Sequence, residues 1–194
     1  MNKTFRALAL SACLSAVAAT AQAATATAVF AGGCFWCIEA DFEKLAGVTE
    51  VESGYTAGKT ANPTYEQVSN GHTGHTEAVR VIYDPARVSY AQLVDYFWRH
   101  IDPTVKDRQF CDIGSQYRSG IYWGSPAERQ VVEASRDALL KSGRFKAIHT
   151  ELAPASTFYL AEDYHQDYYK KNTVRYNYYR YSCGRDARVK SLWQ

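Results

Sequence analysis

Beyond residue 23 the chain has no apolar run of the length a membrane helix requires, no surplus of either charge, no internal repeat and no low-complexity linker. The first absence excludes a membrane span. Lys3 and Arg6 precede the small, apolar run Ala7 to Ala19, and Ala21-Gln22-Ala23 forms an A-x-A cleavage site. Residues 1–23 therefore read as a secretory signal peptide, which makes the mature protein periplasmic or secreted. Leu10-Ser11-Ala12-Cys13 offers a lipoprotein processing site as the minor alternative, although the apolar stretch before Cys13 is short for export. Removing the segment leaves 171 residues and takes two of the 22 basic residues, so 20 stand against 20 acidic ones. A neutral chain has no overall attraction for nucleic acid or an anionic membrane. Cysteine is also scarce: Cys34, Cys37, Cys111 and Cys183 remain. A chain of this size buries about 70% of its unfolded surface as one domain and needs no disulfide scaffold. In an exported protein, four cysteines point instead to redox chemistry.

The periodicities describe one domain, residues 24–174, followed by a tail over 175–194. Thr27 to Ala31 reads as a short buried strand, and Phe35, Ile38, Phe42 and Leu45 recur at helical spacing until Gly47. Glu39, Asp41, Glu43 and Lys44 fall mostly on the other side of that helix. Val48 to Tyr55 is extended, and Thr76 to Tyr83 alternates, with Val79, Val81 and Tyr83 on one face. Ser89 caps a helix marked by Tyr90, Leu93, Val94, Phe97 and Ile101. Ser119 to Gly124 is a candidate central strand. Ser125-Pro126-Ala127-Glu128 is a capping box opening a helix to about Ser142. Residues 148–160 read as extended, Glu162 to Thr173 as helical, and the Tyr-rich tail has no clear period. Helices interleaved with strands give an α/β or α+β domain with a mixed sheet.

Gly32-Gly33-Cys34-Phe35-Trp36-Cys37 is the most informative stretch. A glycine-hinged turn delivers Cys34 to the first turn of a helix. A free thiol of pKa about 8.5 is only roughly 3% thiolate at pH 7, and unpaired N–H groups at a helix N-terminus favour the anion. Glu77 is in phase with Val79 and Val81, which turns its carboxyl inward and raises its pKa; an exposed glutamate at a fraying strand end is the plainer reading. Asp112-Ile113-Gly114-Ser115-Gln116-Tyr117-Arg118-Ser119 concentrates polar groups at a strand end, either as an ordinary turn or as a binding loop. Asn62-Pro63-Thr64-Tyr65 admits the same two readings. His72 and His75 lie three apart in a glycine-rich loop, too little for a closed zinc site, and are expected to be exposed or packed. Cys34-Phe35-Trp36-Cys37 is also a C-x-x-C, which opens a second reading as a thiol–disulfide oxidoreductase.

Together, Gly33-Cys34-Phe35-Trp36, Ser53-Gly54-Tyr55-Thr56, Asn62-Pro63-Thr64-Tyr65, Gly74-His75-Thr76-Glu77-Ala78-Val79 and the Asp112–Ser119 run resemble the peptide methionine sulfoxide reductases of the A type. The resemblance covers about residues 27–175. It implies a two-layer fold with a ferredoxin-like core, no metal and no organic cofactor. It also implies a reaction: methionine (S)-sulfoxide, free or in protein, returned to methionine. Cys34 would be the nucleophile that becomes a sulfenic acid, and Glu77 the acid that protonates the departing oxygen. Tyr65 and Tyr117 would hydrogen-bond that oxygen, Asp112 would support the site, and Phe35 with Trp36 would receive the S-methyl group. The partners implied are oxidised methionine and a thioredoxin-like reductant, with the enzyme a monomer.

The chain departs from the family's commonest form, which has glycine at Cys37 and asparagine at Cys111. Cys183, on a mobile tail, is expected to form the resolving disulfide with Cys34 and present it to the reductant, with Cys37 the alternative by proximity. A third reading makes the tail, with Arg175, Tyr176, Tyr178, Tyr179, Arg180, Tyr181, Arg185 and Arg188, a binder of acidic polymers. The neutral whole favours a tail packed over the domain.

Overall fold

The computed structural model describes residues 24–194; the signal segment read at residues 1–23, with Cys13, lies outside the described residues. Strand β1 (Ala26–Gly32) leads through the Gly-Gly turn into helix α1 (Phe35–Phe42). Strand β2 (Val48–Thr56) and strand β3 (Thr76–Tyr83) form an antiparallel pair whose connection carries the short helix α2 (Tyr65–Ser69). Helix α3 (Tyr90–Trp98) follows. A small hairpin of β4 (Arg108–Gln109) and β5 (Asp112–Ile113) then precedes a 3-10 turn at Ser115–Tyr117 and strand β6 (Ser119–Trp123). Helix α4 (Pro126–Lys141), strands β7 (Glu151–Pro154) and β8 (Tyr159–Leu160), and helices α5 (Tyr168–Lys171), α6 (Thr173–Ser182) and α7 (Arg185–Trp193) complete the chain.

The six-stranded sheet runs β7-β6-β1-β3-β2-β8. It is mixed because β6 and β7 are parallel while the other pairs are antiparallel. Its centre, β6-β1-β3-β2 with α1 and α3 as the crossovers, is the ferredoxin-like β-α-β-β-α-β pattern. One face of the sheet, through Phe30, Val79, Val81 and Ile121, packs on Ile38, Phe42, Leu93, Val94 and Phe97 of α1 and α3. This second layer exists because the apolar stripes read from the sequence all turn to that face. Among the described residues no helix is long and apolar enough to cross a membrane.

Local differences from the sequence reading have identifiable causes. Helix α1 ends at Phe42, well before Gly47, and Gly47 serves a later turn at φ 101°. Ser125 Oγ caps α4 by accepting the Glu128 N–H at 3.2 Å, but the Glu128 carboxylate takes the Gly124 N–H rather than that of Ser125. Most of the segment read as a helix over Glu162 to Thr173 is turn, with only Tyr168–Lys171 forming α5 ahead of α6. There the side chains of Glu162 and Gln166 satisfy other backbone: Glu162 accepts from Tyr65 N–H, and Gln166 bridges both the N–H and the C=O of Ser53. The tail is a pair of helices packed on the domain, not a mobile segment. Arg180 and Arg185 reach Asp41 on α1 at 3.0 and 3.6 Å. Asp41, placed on the polar side of α1 by its spacing, is therefore buried under the tail, and Glu39 beside it is buried where its carboxylate accepts the Asp167 N–H.

Candidate active site

Cys34 is the N-cap of α1, and both glycines before it are required. Gly33 sits at φ 84°, where other residues are strained, and a Cβ there would lie 2.6 Å from Gln109 Cβ. At Gly32 a Cβ would meet Ile38 Cδ1 at 2.4 Å, so the turn can press onto the helix only without one. The result is a sulfur held beyond the end of the central strand β1, in a residue only 7% exposed.

Glu77 lies at the start of β3, in phase with buried Val79 and Val81, as the alternation indicates. Its residue is 2% exposed and its Oε2 accepts the Phe35 N–H at 3.0 Å. Burial pushes its pKa up to about 8, against the opposing effect of the Phe35 N–H and with help from the charge of Asp112. At neutral pH the carboxyl therefore holds its proton.

Two phenols approach from other elements. Tyr65 opens α2, whose Thr64–Gln67 capping box and Glu162 contact fix that turn. Tyr117 ends the 3-10 turn, which Thr76 Oγ1 steadies by donating to the carbonyls of Gln116 and Arg118. Burial raises Tyr65 to about 12 and Tyr117 further, so both remain O–H donors. Asp112, on β5, accepts the Tyr179 O–H at 2.5 Å, while burial raises its pKa.

Cys34, Phe35, Trp36, Tyr65, Glu77, Asp112, Tyr117 and Tyr179 line one small cavity of ≈ 70 Å³. Every residue assigned from the sequence to catalysis or substrate binding is thus brought together. A larger groove of ≈ 520 Å³, lined by Asp41, Lys44, Arg99 and Arg180 among others, holds ionic side chains and no nucleophile. The sequence reading missed Tyr179, which lay in a stretch without period. It also missed His165, a buried ring that accepts the Trp36 indole N–H at Nδ1 over 3.0 Å. Burial lowers His165 to about 4, so it stays neutral and remains an acceptor. Tyr168 stacks on the other side of Trp36 with ring centroids 3.7 Å apart. His75, the nearer of the two loop histidines, is packed: Nδ1 accepts the Gly58 N–H and Nε2 contacts the Thr60 carbonyl.

The cysteines depart from two expectations. Burial, the Cys37 sulfur and the charge of Asp112 push Cys34 well above an ordinary thiol, so its resting form is a thiol and not the helix-stabilised anion. Cys37 is instead lowered, by its neighbour Cys34 and by the charges of Arg185 and Arg180, against the opposing effect of its burial. Cys183 does not lie free for Cys34; it forms a disulfide with Cys111, while Cys34 and Cys37 are both free.

The sequence model of the family described as peptide methionine sulfoxide reductase matches residues 26–194. Over 186 residues the chain is 50% identical to peptide methionine sulfoxide reductase MsrA 2 of Caulobacter vibrioides, covering 94% of each. Among solved structures it is similar to methionine sulfoxide reductase A of Corynebacterium diphtheriae: 38% identity, TM-score 0.70, 78% of this chain and 77% of that one. The reduced form of Mxr1 from Saccharomyces cerevisiae aligns with TM-score 0.72 at 32% identity, over 77% of this chain and 86% of the other.

Proposed function

Because the chain belongs to the peptide methionine sulfoxide reductase family, and reduces methionine sulfoxide to methionine, we propose that Cys34 is its nucleophile and Glu77 its acid. The observation that carries this assignment is a carboxyl kept protonated at neutral pH in the same cavity as a cysteine sulfur. A sulfoxide oxygen leaves poorly until it is protonated, so a neutral acid and two phenols supply what its departure needs. Cys37, next to Cys34 on the first turn of α1, takes the Cys34 proton as the Cys34 sulfur attacks the sulfoxide sulfur. Glu77 protonates the oxygen, Tyr65 and Tyr117 donate to it, and the oxygen passes to Cys34 as a sulfenic acid while methionine leaves. Phe35 and Trp36, the latter fixed between His165 and Tyr168, form the apolar wall that receives the methyl group and selects the S epimer.

Cys37 resolves the sulfenic acid, since it stands one helical turn away and Cys183 is already bonded. The Cys37 thiol displaces hydroxide from the Cys34 sulfur, giving water and a Cys34–Cys37 disulfide. A thioredoxin-like dithiol then returns both thiols and is itself oxidised to a disulfide. The Cys111–Cys183 bond supports an oxidising compartment, in line with export directed by residues 1–23. One chain supplies every group in the cavity, so a monomer suffices.

The test is a single turnover on separated R and S epimers of a methionine sulfoxide peptide, comparing wild type, Cys34→Ser and Glu77→Gln. Methionine from the S epimer in the wild type alone is the expected result. Consumption of only the R epimer, or activity surviving in Cys34→Ser, refutes the assignment. The C-x-x-C oxidoreductase reading makes the opposite demand: a dispensable Glu77 and turnover of protein disulfides.

A further inference from the structure

One covalent link takes no part in the chemistry above. The Cys111–Cys183 disulfide joins residues 72 apart in sequence, with Cα atoms at 4.9 Å. Each half-cystine sits beside a wall of the catalytic cavity. Cys111 directly precedes Asp112, and Cys183 caps the end of α6, one turn beyond Tyr179. Asp112 and Tyr179 both line the cavity and are hydrogen-bonded to each other at 2.5 Å. The Cys111 sulfur lies 3.7 Å from the other Asp112 oxygen. Asp112 and Tyr179 share that cavity with Cys34, and the Tyr179 ring stands edge-on to Trp36 with centroids 5.9 Å apart.

Neither wall is held by much apolar surface, although Arg180 also ties α6 to Asp41. Asp112 belongs to a ladder of two residues per strand, flanked by exposed Cys111 and Ile113. Helix α6 buries Tyr176 alone among its ten residues, leaving Val174, Tyr178 and Tyr181 in solvent. Elements with so little buried apolar surface open at low free-energy cost. The disulfide is the covalent fastener between them.

Resting on the reductase reading above, we propose that Cys111 and Cys183 are positioning residues: their disulfide holds Asp112 and Tyr179 over Cys34, so that sulfoxide affinity depends on its oxidation state. Opening it takes two electrons and two protons from a dithiol, which becomes a disulfide as two protein thiols form. Cys34 and Cys37 lose and gain nothing in that step. The oxidised clamp closes the cavity around the substrate, and the open clamp loosens the tail that covers Cys37.

The experiment compares three samples in single turnover: enzyme with free Cys34 and Cys37 and an intact Cys111–Cys183 bond, the same enzyme after dithiothreitol and desalting, and Cys111→Ser/Cys183→Ser. Thiol counting verifies each state. Methionine formation is followed against concentration of an S-sulfoxide peptide, and iodoacetamide labelling of Cys34 is followed by mass spectrometry. Opening the bond is expected to raise the half-saturating concentration roughly tenfold, the scale of one lost hydrogen-bonded contact, with a smaller change in limiting rate. Cys34 should label faster in both open forms. An unchanged half-saturating concentration overturns the proposal, as does a limiting rate that falls alone. The dithiothreitol arm decides the matter without mutation, should the double variant fold poorly. If no sample reduces sulfoxide while labelling still follows the disulfide, the reductase reading fails and the clamp stands.

Discussion

Glu77→Gln should make a more stable and nearly inactive protein. Glutamine keeps the shape of the carboxylic acid, and its oxygen can still accept the Phe35 N–H that Glu77 accepts at 3.0 Å. It cannot ionise. The wild-type carboxyl has a folded-state pKa near 8 against an ordinary 4.5. A raised carboxyl stabilises the fold fully below pH 4.5, and that contribution is lost as pH rises through 8. At 1.36 kcal/mol per pH unit, the cost of keeping Glu77 buried is about 3 kcal/mol at pH 7 and about 5 kcal/mol above pH 8. Guanidinium unfolding of both proteins at pH 4.5 and pH 8.5 measures it. The variant should match wild type at the acid end and exceed it by several kcal/mol at the alkaline end. Its kcat/KM should fall by about 10²–10⁴, the usual worth of a general acid. A stability difference that does not change with pH would refute the claim that this carboxyl is buried as a neutral acid.

Tyr65→Phe and Tyr117→Phe should each lower kcat/KM by about 10²–10³, as loss of one donor to a developing oxyanion does; losses below tenfold in both would remove the phenols from the mechanism. Cys37→Ser should still release one equivalent of methionine and leave a dimedone-reactive sulfenic acid on Cys34. A Cys34–Cys183 disulfide in its place would restore the tail cysteine as resolver. Breaking the Cys111–Cys183 link, which closes a loop of 72 residues, should cost about 4 kcal/mol in urea unfolding on chain-entropy grounds. Asp41→Ala takes the carboxylate from buried Arg185, leaves Arg180 with Asp186 alone, and should cost about 3–5 kcal/mol, the range for one lost partner of a buried ion pair.

What could be read in the sequence was whatever a local period controls. The stripe Phe35, Ile38 and Phe42 placed α1, and the alternation of Val79, Val81 and Tyr83 aimed Glu77 inward before any coordinates. The tail resisted because its helices bind by polar chemistry: α6 buries one tyrosine and α7 one arginine, so no apolar stripe marks either. Arg185 is 2% exposed and donates to the Gly32 and His100 carbonyls, far away in the chain. Tyr179 and His165 serve the site through such distant partners, which no spacing rule reports. The same cause misplaced Glu39 and Asp41, whose exposure was judged from α1 alone.

The resting state of Cys34 follows from who occupies the helix N-terminus. A thiolate there would need the first free N–H groups of α1. The first of them, the Phe35 N–H, is taken by Glu77. The helix end thus supports the Glu77 carboxyl, and burial with the charge of nearby Asp112 keeps the sulfur protonated. One layer out, Cys37 is lowered by Cys34 and by the nearby charges of Arg185 and Arg180. The cavity is left with neutral donors, a carboxylic acid, two phenols and a thiol, which suits a neutral and polar sulfoxide better than an anion would. Nucleophilicity then arises only when the proton passes to Cys37, so the residue that will later resolve the sulfenic acid is also the one that releases the attack.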